Sequence, residues 1–355
     1  VSRLVQHGHE VLLEQQAGEE AHFSDHDYEK AGGRIVYSAE EIHQRADLVC
    51  RVARLDTREL DLLKPRSTVC AFHHLAIAPH EQVRRLMELE TTIIAYEMIQ
   101  DEWGDRPVLV PFSEMAGQLA VHLAAWYLQE EAKGRGVLLG NVPGVPPSTV
   151  IILGGGTVGR TAARQALASG AHVIILDDDV RKLRDINREL KGRAVTAVAS
   201  HERLEQFTPI ADVLIGAILI PGERAPFLVT EAMVKKMKQG SVILDVSIDQ
   251  GGCVETSRPT SPDEPTFVVH GVVHYCVPNM TASIPRTASR ALVNAALPYL
   301  QALADKGPDA ALRDDPWLAR GVQLYRGKVV HESVGRTLDI PASRLGELLG
   351  EGDSA

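Results

Sequence analysis

The apolar run Val150-Ile151-Ile152-Leu153 leads directly into Gly154-Gly155-Gly156-Thr157-Val158-Gly159, and a helix-like stretch follows. In the G-x-G-x-x-G pattern the first glycine allows a tight turn. The second lets the backbone approach a pyrophosphate, and the third lets helix and strand pack closely. The helix then points unpaired N–H groups and a partial positive charge at the phosphates. Alone the pattern is weak. Here a strand precedes it, a helix follows it, and Asp177 closes the next apolar run. An acid about 20 residues on is placed to accept hydrogen bonds from ribose hydroxyls. Asp178 and Asp179 follow. Three carboxylates would repel a ribose phosphate, which favours NAD, while Arg181 and Lys182 leave NADP open. The plainer reading of the three acids is a cluster at a helix start, worth a few tenths of a kcal/mol each.

A chain of 355 residues has room for two domains. Its net charge of −10 disfavours a nucleic-acid partner, which needs a basic face. Cys50, Cys70, Cys253 and Cys276 form no C-x-x-C pair, and three lie in apolar, strand-like runs. Buried reduced thiols in a cytoplasmic protein are expected. No apolar run approaches the roughly 18 residues of a membrane span, so no membrane partner is expected. The sequence opens on Val1 rather than Met, and a further stretch is expected upstream.

In the first hundred or so residues, apolar runs at 10–13, 34–37, 47–52, 67–72 and 92–96 alternate with helical stretches. That alternation predicts a parallel sheet covered on both faces. Ser113 is read as the N-cap of a helix of about 18 residues. Met115, Leu119, Leu123 and Trp126 form its apolar stripe, and Gly134 and Gly136 end it. A Gly- and Pro-rich connector at 140–148 precedes a second α/β unit over 149–247. A long helix is predicted from Thr287 to about Asp305, with Pro298 as a possible kink. For metal ligation, His270 and His274 are four apart but no H-E-x-x-H exists, and His22 and His26 read as a solvated loop. No metal is predicted.

Several segments are shared, in order and over nearly the whole chain, with one known family. They are His74-Leu-Ala, Ile94-Ala-Tyr-Glu97, Pro111-Phe-Ser-Glu-Met-Ala-Gly117, the glycine loop, Gly216-Ala-Ile-Leu-Ile-Pro-Gly222, Asp249-Gln-Gly-Gly252, Arg258-Pro-Thr260 and Asn279-Met280-Thr-Ala-Ser-Ile-Pro285. The chain thereby resembles the alanine dehydrogenase and transhydrogenase alpha-subunit family, and within it most the soluble alanine dehydrogenases. The resemblance implies an α/β fold of two Rossmann-like domains with parallel sheets. The NAD domain, 108–286, would be inserted into a catalytic domain of 1–107 and 287–355, with the active site in the cleft. It further implies a homo-hexamer and the NAD-dependent conversion of L-alanine to pyruvate and ammonium.

The resemblance assigns His74 and Asp249 as catalytic residues. Imidazole exchanges protons near neutral pH. A carboxylate beside the nicotinamide steadies a cationic imine and orients water. Without the resemblance, His74 would read as a structural turn residue and Asp249 as a turn former before a Gly pair. His73 and Asp245 read as structural. Ser113, Ser200, Ile218, Leu219, Asn279 and Met280 fall at positions the family uses near the cofactor. Phe112 stands where the family often has Met against the substrate methyl.

Two departures accompany the match. The family's carboxylate-clamping arginine belongs to a strand that would lie before Val1. Its substrate-binding lysine corresponds to Ala53, within Arg51-Val52-Ala53-Arg54. A carboxylate buried without a cation costs several kcal/mol. Arg51 or Arg54 is therefore expected to substitute, with Arg51 favoured because strand alternation puts residues 51 and 53 on one face. A catalytically silent NAD-binding protein is the second reading, and the soluble part of a membrane transhydrogenase the third.

Overall fold

The computed structural model describes residues 1–220 and 224–350. The described chain divides into two compact units, one of residues 1–111 and 284–350, the other of 112–220 and 224–283. The strands of the first unit begin with β1 (Leu12–Glu14), β2 (Arg34–Val36), β3 (Leu48–Ala53), β4 (Thr68–Phe72) and β5 (Thr92–Ala95). The second unit holds β6 (Thr149–Leu153), β7 (His172–Asp177), β8 (Val195–Val198), β9 (Val213–Gly216), β10 (Val242–Asp245), β11 (Thr266–Val269) and β12 (Val272–Tyr275). The chain then returns to the first unit with β13 (Val322–Tyr325) and β14 (Lys328–Val329).

In the second unit the sheet order is β11-β12-β10-β9-β6-β7-β8. Every pair is parallel except β11 with β12. Counting from β6, the parallel strands run 3-2-1-4-5-6, the doubly wound order in which ligands bind where the winding reverses. Residues Val150–Leu153 and Val173–Leu176 are all buried. Their continuous apolar runs suit strands covered on both faces.

The first unit is less regular than the expected parallel sheet. β3, β4 and β5 are parallel, but β13 joins β5 antiparallel and β14 extends that edge antiparallel again. β1 and β2 form a separate parallel pair. The predicted long helix runs from Pro285 to Lys306 and continues through Pro298.

Two readings of the central helix need correction. It spans Val110–Tyr127, so Ser113 lies inside its first turns and does not cap it, and it stops well before Gly134. Its buried face is Met115, Ala116, Gly117, Ala120, Val121 and Ala124, whereas Trp126 is 54% exposed. The small residues lie inward because this helix approaches the helix Thr157–Ser169 very closely. A Cβ built on Gly117 would lie 2.5 Å from the Val158 carbonyl oxygen and 3.0 Å from the Ala162 nitrogen. Helix spacing is set by the side chains at the contact, and leucines there would hold the two apart.

Gly117→Val is therefore expected to destabilise the second unit by about 1–3 kcal/mol, the usual cost of overpacking. Calorimetric melting checks this, and an unchanged melting temperature would contradict the close approach.

Candidate active site

At the end of β6 the chain turns at Gly154, whose φ of +103° favours glycine. Gly159 lies one helical turn on, where an added Cβ would sit 1.9 Å from the Gly154 carbonyl oxygen. The helix Thr157–Ser169 starts with no side-chain cap, so its first amides remain open to an acceptor. A Cβ at Gly156 would meet nothing within 4 Å. An uncapped helix start beside open space at the second glycine is a fitting cradle for a dinucleotide pyrophosphate.

Asp177 ends β7 and is buried. Its Oδ2 accepts the Gly155 N–H at 2.7 Å, and its Oδ1 accepts the Asp179 N–H at 2.8 Å. The carboxylate thus shapes the glycine loop, and its remaining lone pairs are what a ribose hydroxyl would use. Asp179 caps the helix Val180–Glu189 by accepting from the Arg181 N–H. Ser200 is likewise the N-cap of the helix His201–Phe207.

Asp249 lies in a short 3-10 segment, Val246–Gln250, directly after β10. Its Oδ1 accepts the Asn279 N–H at 2.8 Å, which brings those two predicted residues together. Asn279 adopts a left-handed backbone, φ +50°, and Met280 is buried in the core beside it. Ile218 donates its N–H to Ser247 Oγ at 2.9 Å, while the Leu219 side chain is exposed. Pro221 and Gly222 of that motif lie outside the described residues. Asp245 is structural, as expected: its Oδ2 accepts the N–H groups of Cys253 and Val254. Burial pushes its carboxyl above the usual range.

In the first unit the C-terminal ends of β3, β4 and β5 carry the candidate residues. His74 follows β4 with φ +46°, a backbone state that costs a non-glycine residue about 1–3 kcal/mol. Glu97, just past β5, holds it there. The Glu97 carboxylate accepts the His74 N–H at 2.6 Å and the His73 N–H at 3.1 Å, and its Oε1 lies 3.8 Å from His74 Nδ1. The Phe72 ring stacks beside the imidazole at 6.5 Å. His73 is buried, and desolvation pulls its imidazole down to about 3, so it is neutral and structural. Sequence reasoning gave Glu97 no role. Its signal was a lone acid ending the apolar run 92–96.

The basic residues do not sit as strand alternation predicted. β3 bulges against β4 between Cys50 and Ala53, which breaks the period-2 count between residues 51 and 53. The Arg51 guanidinium is held in a partly buried ion pair by Glu59, another residue with no earlier assignment. Arg54 is exposed and borders, with His73 and Leu75, a small cavity of about 10 Å³. Phe112 lies in the first turn of the central helix, half-buried. No group of three metal-binding side chains exists among the described residues, and no described helix is long and apolar enough to cross a membrane.

Residues 1–116 match the model of the alanine dehydrogenase/PNT N-terminal domain, and 120–332 that of its C-terminal domain. The chain belongs to the alanine dehydrogenase/PNT family. It is 42% identical to an alanine dehydrogenase of Mycolicibacterium smegmatis, over 98% of this chain and 94% of that protein. It is 39% identical to one from Methanococcus maripaludis, over 99% and 94%. A solved L-alanine dehydrogenase superposes with a TM-score of 0.87 at 43% identity, covering 95% of this chain and 93% of that one. A transhydrogenase from Sinorhizobium meliloti shares the fold at 24% identity, with a TM-score of 0.73 and coverage of 93% and 92%.

Removing the Glu97 carboxylate leaves the buried His73 amide without an acceptor, at about 1–3 kcal/mol, and the part-buried His74 amide at somewhat less. Glu97→Ala should lower the urea midpoint accordingly, and Glu97→Gln, which keeps one acceptor oxygen, should lower it less. Equal midpoints for both variants and the native protein would contradict the role.

Proposed function

We propose that this protein catalyses the NAD-dependent oxidative deamination of L-alanine, in which alanine, NAD⁺ and water give pyruvate, ammonium, NADH and a proton. The observation that carries this reading is the full-length similarity to alanine dehydrogenases, joined to a glycine loop whose open face fits a pyrophosphate. In this reading 1–107 and 287–355 form the catalytic domain and 108–286 the NAD domain, the protein is a cytoplasmic homo-hexamer, and no metal takes part.

NAD⁺, when bound, supplies the hydride acceptor. His74 takes up and returns the protons of the amine and the attacking water, its imidazole serving as general base and then general acid. Asp249 stabilises the cationic imine and orients the water. Phe112 lies against the substrate methyl. Gly154, Gly156, Thr157, Val158 and Gly159 hold the pyrophosphate and Asp177 the ribose. Ser113, Ser200, Ile218, Leu219, Asn279 and Met280 complete the dinucleotide site. NAD is favoured over NADP because the Arg181 guanidinium is already engaged by Asp179 at 3.3 Å, beside two further carboxylates.

The substrate carboxylate needs positive charge. Arg51 is neutralised in its pair with Glu59, which leaves Arg54 as the substitute for the lysine that Ala53 replaces. That arrangement favours a second reading, an NAD-binding protein of weakened turnover.

Calorimetry should show NAD binding at least about tenfold more tightly than NADP, a difference of about 1.4 kcal/mol. Gly156→Val should abolish binding of either. Equal affinities would remove the argument from Arg181 and Asp179. In steady-state assays, His74→Ala and Asp249→Ala should each lose most alanine turnover while keeping NAD affinity. Ala53→Lys should raise it about tenfold or more, the worth of a charge-assisted hydrogen bond of roughly 1.5–3 kcal/mol. If neither the native protein nor Ala53→Lys oxidises alanine while NAD still binds, the silent reading replaces the enzymatic one.

A further inference from the structure

A second cavity, about 270 Å³ in volume, opens in the first unit, and neither His74 nor Phe72 nor Glu97 lines it. Three basic side chains line it: Arg106, from the loop before the central helix, Arg320, which precedes β13, and His331, which follows β14. Arg106 is half-buried and its Nε is fully buried with no hydrogen-bond acceptor. Among the described residues it has no carboxylate within ion-pair distance. Arg320 donates to the Gln100 and Asp101 carbonyls, which anchors it. His331 bonds Ser333 Oγ through Nδ1 at 2.7 Å, leaving Nε2 for another partner. Burial holds its imidazole below the ordinary range, so at neutral pH the ring is uncharged.

Two acids that flank the lining residues in the chain have partners of their own. Asp101 Oδ1 accepts the N–H groups of Trp103 and Asp105 in its own turn, and Glu332 faces Arg336 at 3.9 Å. A half-buried guanidinium with no counter-charge is costly, and its fork matches a carboxylate. The remaining wall is Gln100, whose amide donates to the Gly104 carbonyl, and the apolar Met98, Ala319, Val322, Val330 and Leu345.

We propose that this cavity binds a short-chain organic carboxylate, with the carboxyl group on Arg106 and the hydrocarbon against Met98, Val322 and Leu345. The site is separate from the proposed chemistry at His74 and does not depend on it. A bare phosphate would satisfy the arginine but leave the apolar wall unused.

Sodium butyrate, at constant ionic strength, is the probe. Calorimetry should show saturable binding. The emission of Trp103 and Trp317, whose rings lie 6.2 Å apart in the segments that Arg320 joins, should change in parallel. Arg106→Leu and Arg106→Gln should each weaken binding about tenfold or more. His74→Ala should leave it unchanged, which separates this site from the reaction site. Absence of saturable binding, native affinity in both Arg106 variants, loss of binding in His74→Ala, or tighter binding of inorganic phosphate than of butyrate would each overturn the proposal.

Discussion

The Glu97 carboxylate, buried just past β5, accepts the amides of His73 and His74, and the edge of the first unit that carries His74 depends on it. That acceptor offsets part of the strain of the left-handed turn at His74. The same device recurs in the second unit. Asp177 at the end of β7 holds Gly155, and Asp245 at the end of β10 holds Cys253 and Val254. Burying a carboxylate carries a desolvation cost. Loop amides at the end of a strand lack sheet partners and need acceptors, so each acid and its loop satisfy one another. The loops that carry the candidate chemistry are thereby fixed to rigid strands rather than left to solvent.

Much of this was legible in the sequence. The glycine loop, β6 and Asp177 declared the second unit, because Gly154 and Gly159 there answer geometric needs that a larger residue would not meet. Of the parallel strands, β12 lay beyond the unit read over 149–247, and the others were readable as short apolar runs. The antiparallel edge of β13 and β14 was not, since short strands late in a helical region carry no periodicity of their own. The central helix was misread at its start and on its face. Ser113 has the chemistry of a cap but lies one turn too late, and the large apolar residues drew attention from the small ones that make the contact.

The candidate site was drawn from the family resemblance, which singled out His74 and Asp249 where their residue types alone read as turn formers. It was illegible where the role is to hold something else. Glu97 and Glu59 act on His74 and Arg51 across 23 and 8 residues of chain. No local pattern announces such a pairing. Arg51 looked like the better replacement for a missing lysine until its guanidinium was found committed to Glu59.

The bulge in β3 bears on how this strand is compared with its relatives. Between Cys50 and Ala53 it carries one residue more than β4 does between their partners. A pleated strand assigns faces by parity, and one extra residue inverts the parity of everything beyond it. Two homologous strands aligned without a gap, one bulged and one regular, would show the same letter pointing to opposite sides of the sheet. For residues 51–54, then, correspondence is a matter of pleat rather than of count.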